Sequence, residues 1–175
     1  IIRDAKNHGV KVKEVCINRS EWDHSLENNG ESCLNLRLGF RQIKGLSKND
    51  VDRIIEERGN GYNDPQDLWH RIRLSPSIIK LIVKANSFHS LNKNRRLLLW
   101  DAQAIKKTNP LALFEGYSEK EYLPENSVNI PNMTSGEELI LDYQSLRLSL
   151  STHPVKLLRP FLKKNFIEKY CASNI

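Results

Sequence analysis

The sequence has 175 residues, a formal net charge of +6, a pI of about 9.3 and three widely spaced cysteines. A chain of this length can bury one medium-sized core or two small ones, and its basic charge suits a polyanionic partner without requiring one. Cys16, Cys33 and Cys171 show no C-x-x-C spacing, so we expect neither a disulfide framework nor a zinc site and place the protein in the cytoplasm. No apolar run is long enough to span a membrane. The chain begins at Ile1 without an initiator Met, and we expect it to be part of a longer protein.

The first part of the chain is predicted to hold the end of a helix followed by β structure. Gly9 suits the stop of a short helix, and valines interleaved with lysines make residues 10–17 strand-like. In residues 21–38, two runs of alternating apolar residues flank Asn29-Gly30, the dipeptide most typical of a tight hairpin turn. We therefore predict a β-hairpin that leads directly into the segment that follows.

Residues 39–58 have the layout of a helix-hairpin-helix element, with a short helix, a tight turn and a second, capped helix. Gly45 can adopt a positive φ, which suits a sharp turn between helices. Ser47 is a good N-cap, and Asp50 adds acid to the first turn of the second helix. The apolar face of that helix consists of Val51, Ile54 and Ile55.

A hairpin of this kind offers a place for an anion. The backbone N–H groups at the start of the second helix lack partners within the helix, and together with the helix dipole they favour a group such as a DNA phosphate. Lys44 and Lys48 flank the turn and add positive charge. An ordinary pair of helices with two solvated lysines explains the same pattern, and the residues alone leave both interpretations open.

A second helix–turn–helix is predicted downstream. Asp64-Pro65 indicates the start of a helix that continues to about residue 72, and Ser75-Pro76 indicates the start of the next. The turn at residues 85–88 lacks glycine, although asparagine in that turn tolerates the left-handed region.

The third helix of this region is expected from about residue 93 to 107. Its inward side chains are predicted to be Leu97, Leu98, Trp100 and Ile105. Lys93, Arg95 and Arg96 at its start could meet either a backbone phosphate or water, and the pattern does not decide between the two.

The remainder is predicted to be a linker followed by helices. Residues 108–133 contain prolines and asparagines without a helical or strand period. Residues 110–114 form an apolar island, which is either a strap on its own domain or a short peptide for another protein's groove. A capping box predicts a helix from Thr134 to about residue 146, and Pro154 opens another. The inward residues of the first of these helices are expected to be Leu139, Ile140 and Tyr143.

Catalytic motifs are missing from this chain. It has no P-loop, no G-x-G-x-x-G, no G-x-S-x-G and no H-E-x-x-H. Asp50 and Asp52 lie two positions apart on a predicted helix, so their side chains diverge and do not form a metal site. We predict no catalytic residue and no metal ligand, which is typical of a binding module.

Four ordered runs resemble consecutive blocks of the bacterial C-family DNA polymerases. They are VCINRSEWDHSLE (15–27), LRLGFRQIKGLSKNDVDRIIEERG (36–59), DPQDLWHRIRLSPSIIKLIVKANSFHSL (64–91) and GEELILDYQSLRLSLSTHPVKLLRP (136–160). The chain is more similar to the error-prone, damage-tolerant branch than to the replicative α subunit. Four short runs favour that branch: INRS (17–20), LRLG (36–39), PLALF (110–114) and LLRP (157–160).

The resemblance implies a mainly α fold with a small β-hairpin. Residues 1–38 would end the fingers region, 39–107 would form a tandem helix-hairpin-helix DNA-binding domain, 108–133 a linker, and 134–175 a connector toward a truncated OB-fold. It also implies that the catalytic carboxylates, with their Mg²⁺ ions, lie upstream in the intact polymerase, so that this segment is inactive alone and holds no cofactor. The expected partner is duplex DNA, which the polymerase uses in error-prone replication and repair.

The phosphate-binding residues are predicted to be Lys44, Gly45, Leu46, Ser47 and Lys48, with Arg41, Arg95 and Arg96 as further candidates. The apolar island matches the place where replicative relatives carry a sliding-clamp peptide, here with Leu111, Leu113 and Phe114 but with Pro110 in place of the leading glutamine. Two alternatives stay open. The chain could be a module that docks on other replication or repair factors with little DNA affinity, or the relic of a broken gene.

Overall fold

The computed structural model describes residues 2–28, 34–105 and 130–164 and is mainly helical with one small sheet, as predicted. The helices are α1 (Ile2–Asn7), α2 (Lys48–Glu56), α3 (Pro65–Ile72), α4 (Pro76–Lys84), α5 (Arg95–Ala104), α6 (Ser135–Leu146) and α7 (Pro154–Lys164). The strands are β1 (Val12–Lys13), β2 (Ser25–Asn28) and β3 (Leu34–Arg37), and two single 3₁₀ turns cover Phe40–Gln42 and His89–Leu91. None of the described helices is both long enough and apolar enough to cross a membrane.

The predicted hairpin is present as β2 paired antiparallel with β3, while the Asn29-Gly30 turn itself lies outside the described residues. β1 adds a third strand parallel to β3, which gives the order β1-β3-β2. The leucines do not form the buried face of this sheet, since Leu26 and Leu34 are 64 % and 51 % exposed. The other face is covered instead, and Arg37 lies there almost fully buried.

Arg37 can be buried because its charge is matched. Its guanidinium pairs with the carboxylate of Glu27 on β2 and donates to the carbonyl of Glu14 at 3.1 Å. Lys13 on β1 donates to the same Glu27 carboxylate at 2.8 Å. These hydrogen bonds, from Arg37 first and Lys13 second, lower the pKa of Glu27 to about 2. One carboxylate thus connects all three strands.

A single hydrophobic core joins the sheet to the helices. Leu38 and Phe40 follow β3 and are completely buried, together with Val51 and Ile54 of α2 and Ile79 and Ile82 of α4. The same core includes Val15 and Ile17, so it contains residues on both sides of position 38, where we expect one domain to end. The predicted limits 1–38, 39–107, 108–133 and 134–175 stay predictions.

Three of the four predicted helix caps are confirmed. The side chains of Ser47, Asp64 and Thr134 each accept a hydrogen bond from a backbone N–H in the first turn, and Thr134 with Glu137 makes a full capping box. Ser75 also precedes its helix, but its hydroxyl lies 2.8 Å from the Ser77 hydroxyl and makes no cap bond.

The predicted inward faces of α5 and α6 are partly wrong. Trp100 is 54 % exposed, and Ile140 and Tyr143 are 58 % and 41 % exposed. The buried residues of α5 are Arg95, Leu98 and Ala102. The prediction considered only apolar residues, so it could not identify Arg95 as inward.

Candidate nucleic-acid interface

The first hairpin (residues 40–56) has the predicted order with a shorter first element. A single 3₁₀ turn replaces the expected short helix, and it is followed by the turn at Gly45 and by α2. Buried side chains hold this segment on the core: Phe40, Ile43 and Leu46. Leu46 was predicted to contact phosphate, and the structure assigns its side chain to the core, which leaves only its backbone at the turn.

Gly45 has the conformation that the sequence predicts. Its φ is +86°, a value that a residue with a Cβ adopts only with strain. A Cβ built there would lie 3.4 Å from the side chain of Leu81 on α4, an ordinary van der Waals contact, so the positive φ is what favours glycine. The turn is therefore sharp and close to α4.

The backbone N–H groups of this turn fall into two sets. The N–H of Lys44 donates to the carbonyl of Ser145 on α6 at 2.9 Å, and that of Leu46 donates to the Ile43 carbonyl at 3.4 Å, so neither is free for a ligand. In the described ranges no acceptor engages the N–H groups of four exposed residues: Gly45, Ser47, Lys48 and Asn49. These are the donors that a helix start offers to an anion.

The charges around the turn are mixed. Lys44 and Lys48 are exposed, and their ammonium groups make no ion pair with any residue that the structure describes. Asp50 lies at the third position of α2, and its carboxylate accepts a hydrogen bond from the Ser47 hydroxyl at 2.6 Å. This carboxylate offsets part of the positive potential, while the two lysines leave the turn positive overall.

Two of the predicted arginines lie at the surface with acidic partners. Arg41 pairs with Asp23 at 2.5 Å, and more than half of each side chain is exposed. Arg96 pairs with Glu137 at 2.6 Å. The pKa of the Glu137 carboxyl is lowered mainly by hydrogen bonds from Thr134, with a smaller contribution from Arg96. Exposed pairs of this kind are weak, so both arginines can exchange a carboxylate for a phosphate.

Arg95, which was predicted as a further phosphate contact, lies inside the fold. Only 7 % of this residue is exposed, and its guanidinium donates to Asp142 on α6 at 2.8 Å and to the carbonyl of Lys84 at the end of α4. It joins three helices inside the fold, and we leave it out of the interface. Asp142 lies 47 positions away in the sequence, so no local pattern reveals the pair.

The second hairpin (residues 84–95) is built differently from the first. Asn86 has a φ of +57°, which confirms the predicted left-handed turn. Ser87 is fully buried, however, and its carbonyl accepts a hydrogen bond from the Ile17 N–H at 2.8 Å. The Asn86 amide donates to the carboxylate of Glu14 at 3.1 Å. The chain covers this turn with its own residues and places an acid beside it, which disfavours a phosphate.

Other predictions fall outside the interface. Leu111, Leu113 and Phe114 of the proposed clamp peptide lie outside the described residues. The Lys93 ammonium donates to the carbonyl of Asn63 at 3.0 Å, so this side chain makes a contact within the fold. In the parts of the chain that the structure describes, no group of three or more His, Cys, Asp or Glu side chains lies together as a metal site.

Comparison with known proteins supports the assignment of the hairpins. Residues 9–98 match the family described as "Helix-hairpin-helix motif". The chain is 44 % identical over 160 residues to the error-prone DNA polymerase of Ruegeria pomeroyi, an alignment that covers 91 % of this chain and 14 % of that protein. It is 38 % identical to the error-prone DNA polymerase of Sinorhizobium medicae and 40 % identical to that of Brucella abortus, with 91 % of this chain aligned in both and 16 % and 15 % of those proteins.

The chain thus spans about one seventh of the length of the curated relatives it matches. The matched residues 9–98 begin just before β1, contain both hairpins and end within α5. The chain belongs to the helix-hairpin-helix motif family, and its sequence is related to one segment of bacterial error-prone DNA polymerases.

Proposed function

We propose that this chain binds the phosphate backbone of duplex DNA through the first hairpin, as the DNA-gripping segment of an error-prone DNA polymerase. The proposal rests on the turn at Gly45. Its exposed backbone N–H groups have no acceptor among the described residues, and exposed lysines flank the turn. Backbone amides and a helix dipole stabilise an anion at such a position, and Lys44 and Lys48 supply long-range attraction.

Binding of this kind is independent of base sequence. Amides and ammonium groups meet phosphate oxygens, which are the same at every base pair, and sequence is read only by contacts to base edges. Arg41 and Arg96 extend the basic surface if a phosphate displaces their acidic partners. Gly45, Ser47 and Lys48 contribute backbone donors, whereas Lys44 contributes its side chain alone.

In this proposal, the polymerase reaction is carried out by other parts of a longer protein. The relatives are named error-prone DNA polymerases, and we propose that this chain serves template-directed DNA synthesis in replication and repair in the cytoplasm. Mg²⁺ ions held by carboxylates elsewhere in such a polymerase would stabilise the attacking and leaving oxygens. The segment described here would hold the duplex product and leave the chemistry to those other parts.

Fluorescence anisotropy with a short labelled duplex tests the hairpin directly. The Lys44→Ala/Lys48→Ala variant should bind at least about tenfold more weakly at low salt, because two phosphate contacts are lost. Lys156→Ala/Arg159→Ala on α7 is the matched control, since it removes the same charge from two other exposed residues. Equal weakening by both variants would show a net-charge effect and contradict the assignment to the hairpin.

A second candidate function is docking on another replication or repair protein. Exposed apolar side chains on α7 favour it: Val155, Leu157, Leu158 and Phe161. Apolar docking changes little with salt, whereas phosphate binding weakens steeply. Binding of the sliding clamp through residues 110–114 is one form of this proposal, and a clamp-binding assay in which Phe114→Ala has no effect would end it.

A further inference from the structure

The end of α6 lies against the first hairpin. Besides the bond from the Lys44 N–H to the Ser145 carbonyl at 2.9 Å, the Gln42 side-chain amide donates to the Leu146 carbonyl at 2.7 Å. The Ser145 hydroxyl, which donates to the Leu141 carbonyl at 2.7 Å, also lies 3.2 Å from the carbonyl of Lys84, the last residue of α4. The backbones of Lys44, Ser145 and Lys84 are therefore neighbours, although they are far apart in the sequence.

Three basic residues lie around this contact: Lys44, Lys84 and Arg147, which we call the basic junction. All three are exposed, and in the described part of the chain their side chains make no hydrogen bond and no ion pair. Many other arginines of the described ranges are engaged with an acid or a carbonyl: Arg37, Arg41, Arg53, Arg58, Arg71, Arg95 and Arg96. The side chains of the basic junction thus have no partner in the described ranges, and their backbones lie close to one contact between the first hairpin, α4 and α6.

The two helix ends beneath the basic junction make no hydrogen bond to its side chains in the described ranges. A helix C-terminus attracts cations, and α4 and α6 both end here. The carbonyl of Lys84 accepts from Arg95, and the carbonyl of Ser145 accepts from the Lys44 N–H, so the two carbonyls have protein donors.

Arg147 also occupies a position that a smaller residue fills more easily. It caps α6 with a φ of +60°, where glycine is the usual residue because it has no Cβ. Its N–H donates to the Tyr143 carbonyl at 3.1 Å, a bond that any residue but proline can make. The backbone role therefore does not call for an arginine.

We propose that the basic junction is a second phosphate-binding site, adjacent to the first hairpin, which contacts a further phosphate of the same nucleic acid backbone. This inference rests on the proposed function and adds α4 and α6 to the DNA-binding surface. The ligand class is a phosphodiester, and the shared residue Lys44 connects the two sites.

Anisotropy titrations of the full 175-residue chain with a labelled duplex test the proposal through Lys84→Ala and Arg147→Gly. Each variant should weaken binding about fivefold to tenfold at 0.1 M salt and reduce the log–log salt slope by about 0.9. Arg147→Gly removes the charge while placing glycine where φ is positive, so its melting temperature should not fall. Thermal melts of both variants check that the folded state is being compared.

Arg73→Gly is the matched control. Arg73 also caps a helix with positive φ, at 55°, and is exposed, but its guanidinium lies over the Trp69 ring at 4.2 Å. Loss of binding in Arg147→Gly but not in Arg73→Gly supports the basic junction. Equal loss in both would overturn it as a general charge effect.

The outcomes separate the two proposals. If Lys48→Ala weakens binding while Lys84→Ala and Arg147→Gly bind like the wild type, the basic junction is not a phosphate site and the hairpin proposal stands. If the wild type shows no binding at low salt, both proposals fail.

Discussion

Arg95, which the sequence offers as a phosphate contact, instead joins three helices inside the fold. Its guanidinium lies between Asp142 of α6 and the carbonyl at the end of α4, and it is almost fully buried. Removing one member of a buried ion pair leaves a charge uncompensated, which costs about 3 kcal/mol or more. Arg95 therefore positions α6, and through α6 it positions Arg147.

We expect Arg95→Met to lower the free energy of unfolding by about 3 kcal/mol, as measured by urea denaturation. Arg95→Met/Asp142→Leu should recover a large part of this loss, because replacing both charges removes the uncompensated carboxylate. A single variant of wild-type stability that nevertheless loses DNA binding would show that Arg95 contacts phosphate after all.

Glu27 makes the sheet sensitive to acid. Its pKa is lowered from 4.5 to about 2 in the folded chain by Arg37 and Lys13. A lowered folded pKa stabilises the fold above pH 4.5, and this contribution is lost as the pH falls toward 2. Glu27→Gln should therefore reduce the melting temperature at pH 7. Between pH 4.5 and 3, the melting temperature of this variant should fall less steeply than that of the wild type. An identical decline in wild type and variant would contradict this.

At the scale of the elements, short-range signals predicted most of the hairpin correctly. Gly45, Ser47 and Thr134 act on neighbours within a few residues, so their roles can be inferred from spacing. Which face of a strand is buried cannot be inferred from spacing, because it depends on what covers the sheet. Leu26 and Leu34 alternate like core residues, yet the covered face is the one that holds the ion pair of Arg37.

Gly39 connects the sheet to the first hairpin through a close backbone crossing. A Cβ at this position would overlap the carbonyls of Trp22 and Asp23. Gly39→Ala should therefore destabilise the fold by about 3 kcal/mol in thermal or urea unfolding. Gly136→Ala is the control, since a Cβ there meets nothing within 4 Å, and it should not destabilise the fold. Equal stability of both variants would exclude the crossing as a constraint.

At the scale of the whole molecule, the two hairpins differ in what surrounds their turns. The first exposes its turn beside two lysines, whereas the second is covered by residues 14–17 and serves the core. The DNA-binding surface we propose extends from the first hairpin toward the end of α6. Spacing in the sequence does not point to Lys84 and Arg147 for this proposed surface, because only the fold brings their backbones close to that of Lys44.

The most direct test of phosphate binding is the salt dependence of duplex affinity for the wild type and for Lys44→Ala/Lys48→Ala. Our account predicts a linear log–log plot for the wild type and a slope shallower by about 1.8 for the variant, since each contact contributes about 0.9. Two duplexes of unrelated sequence should give the same result. An affinity that does not change with salt, or a slope that the two substitutions leave unaltered, would contradict the central claim.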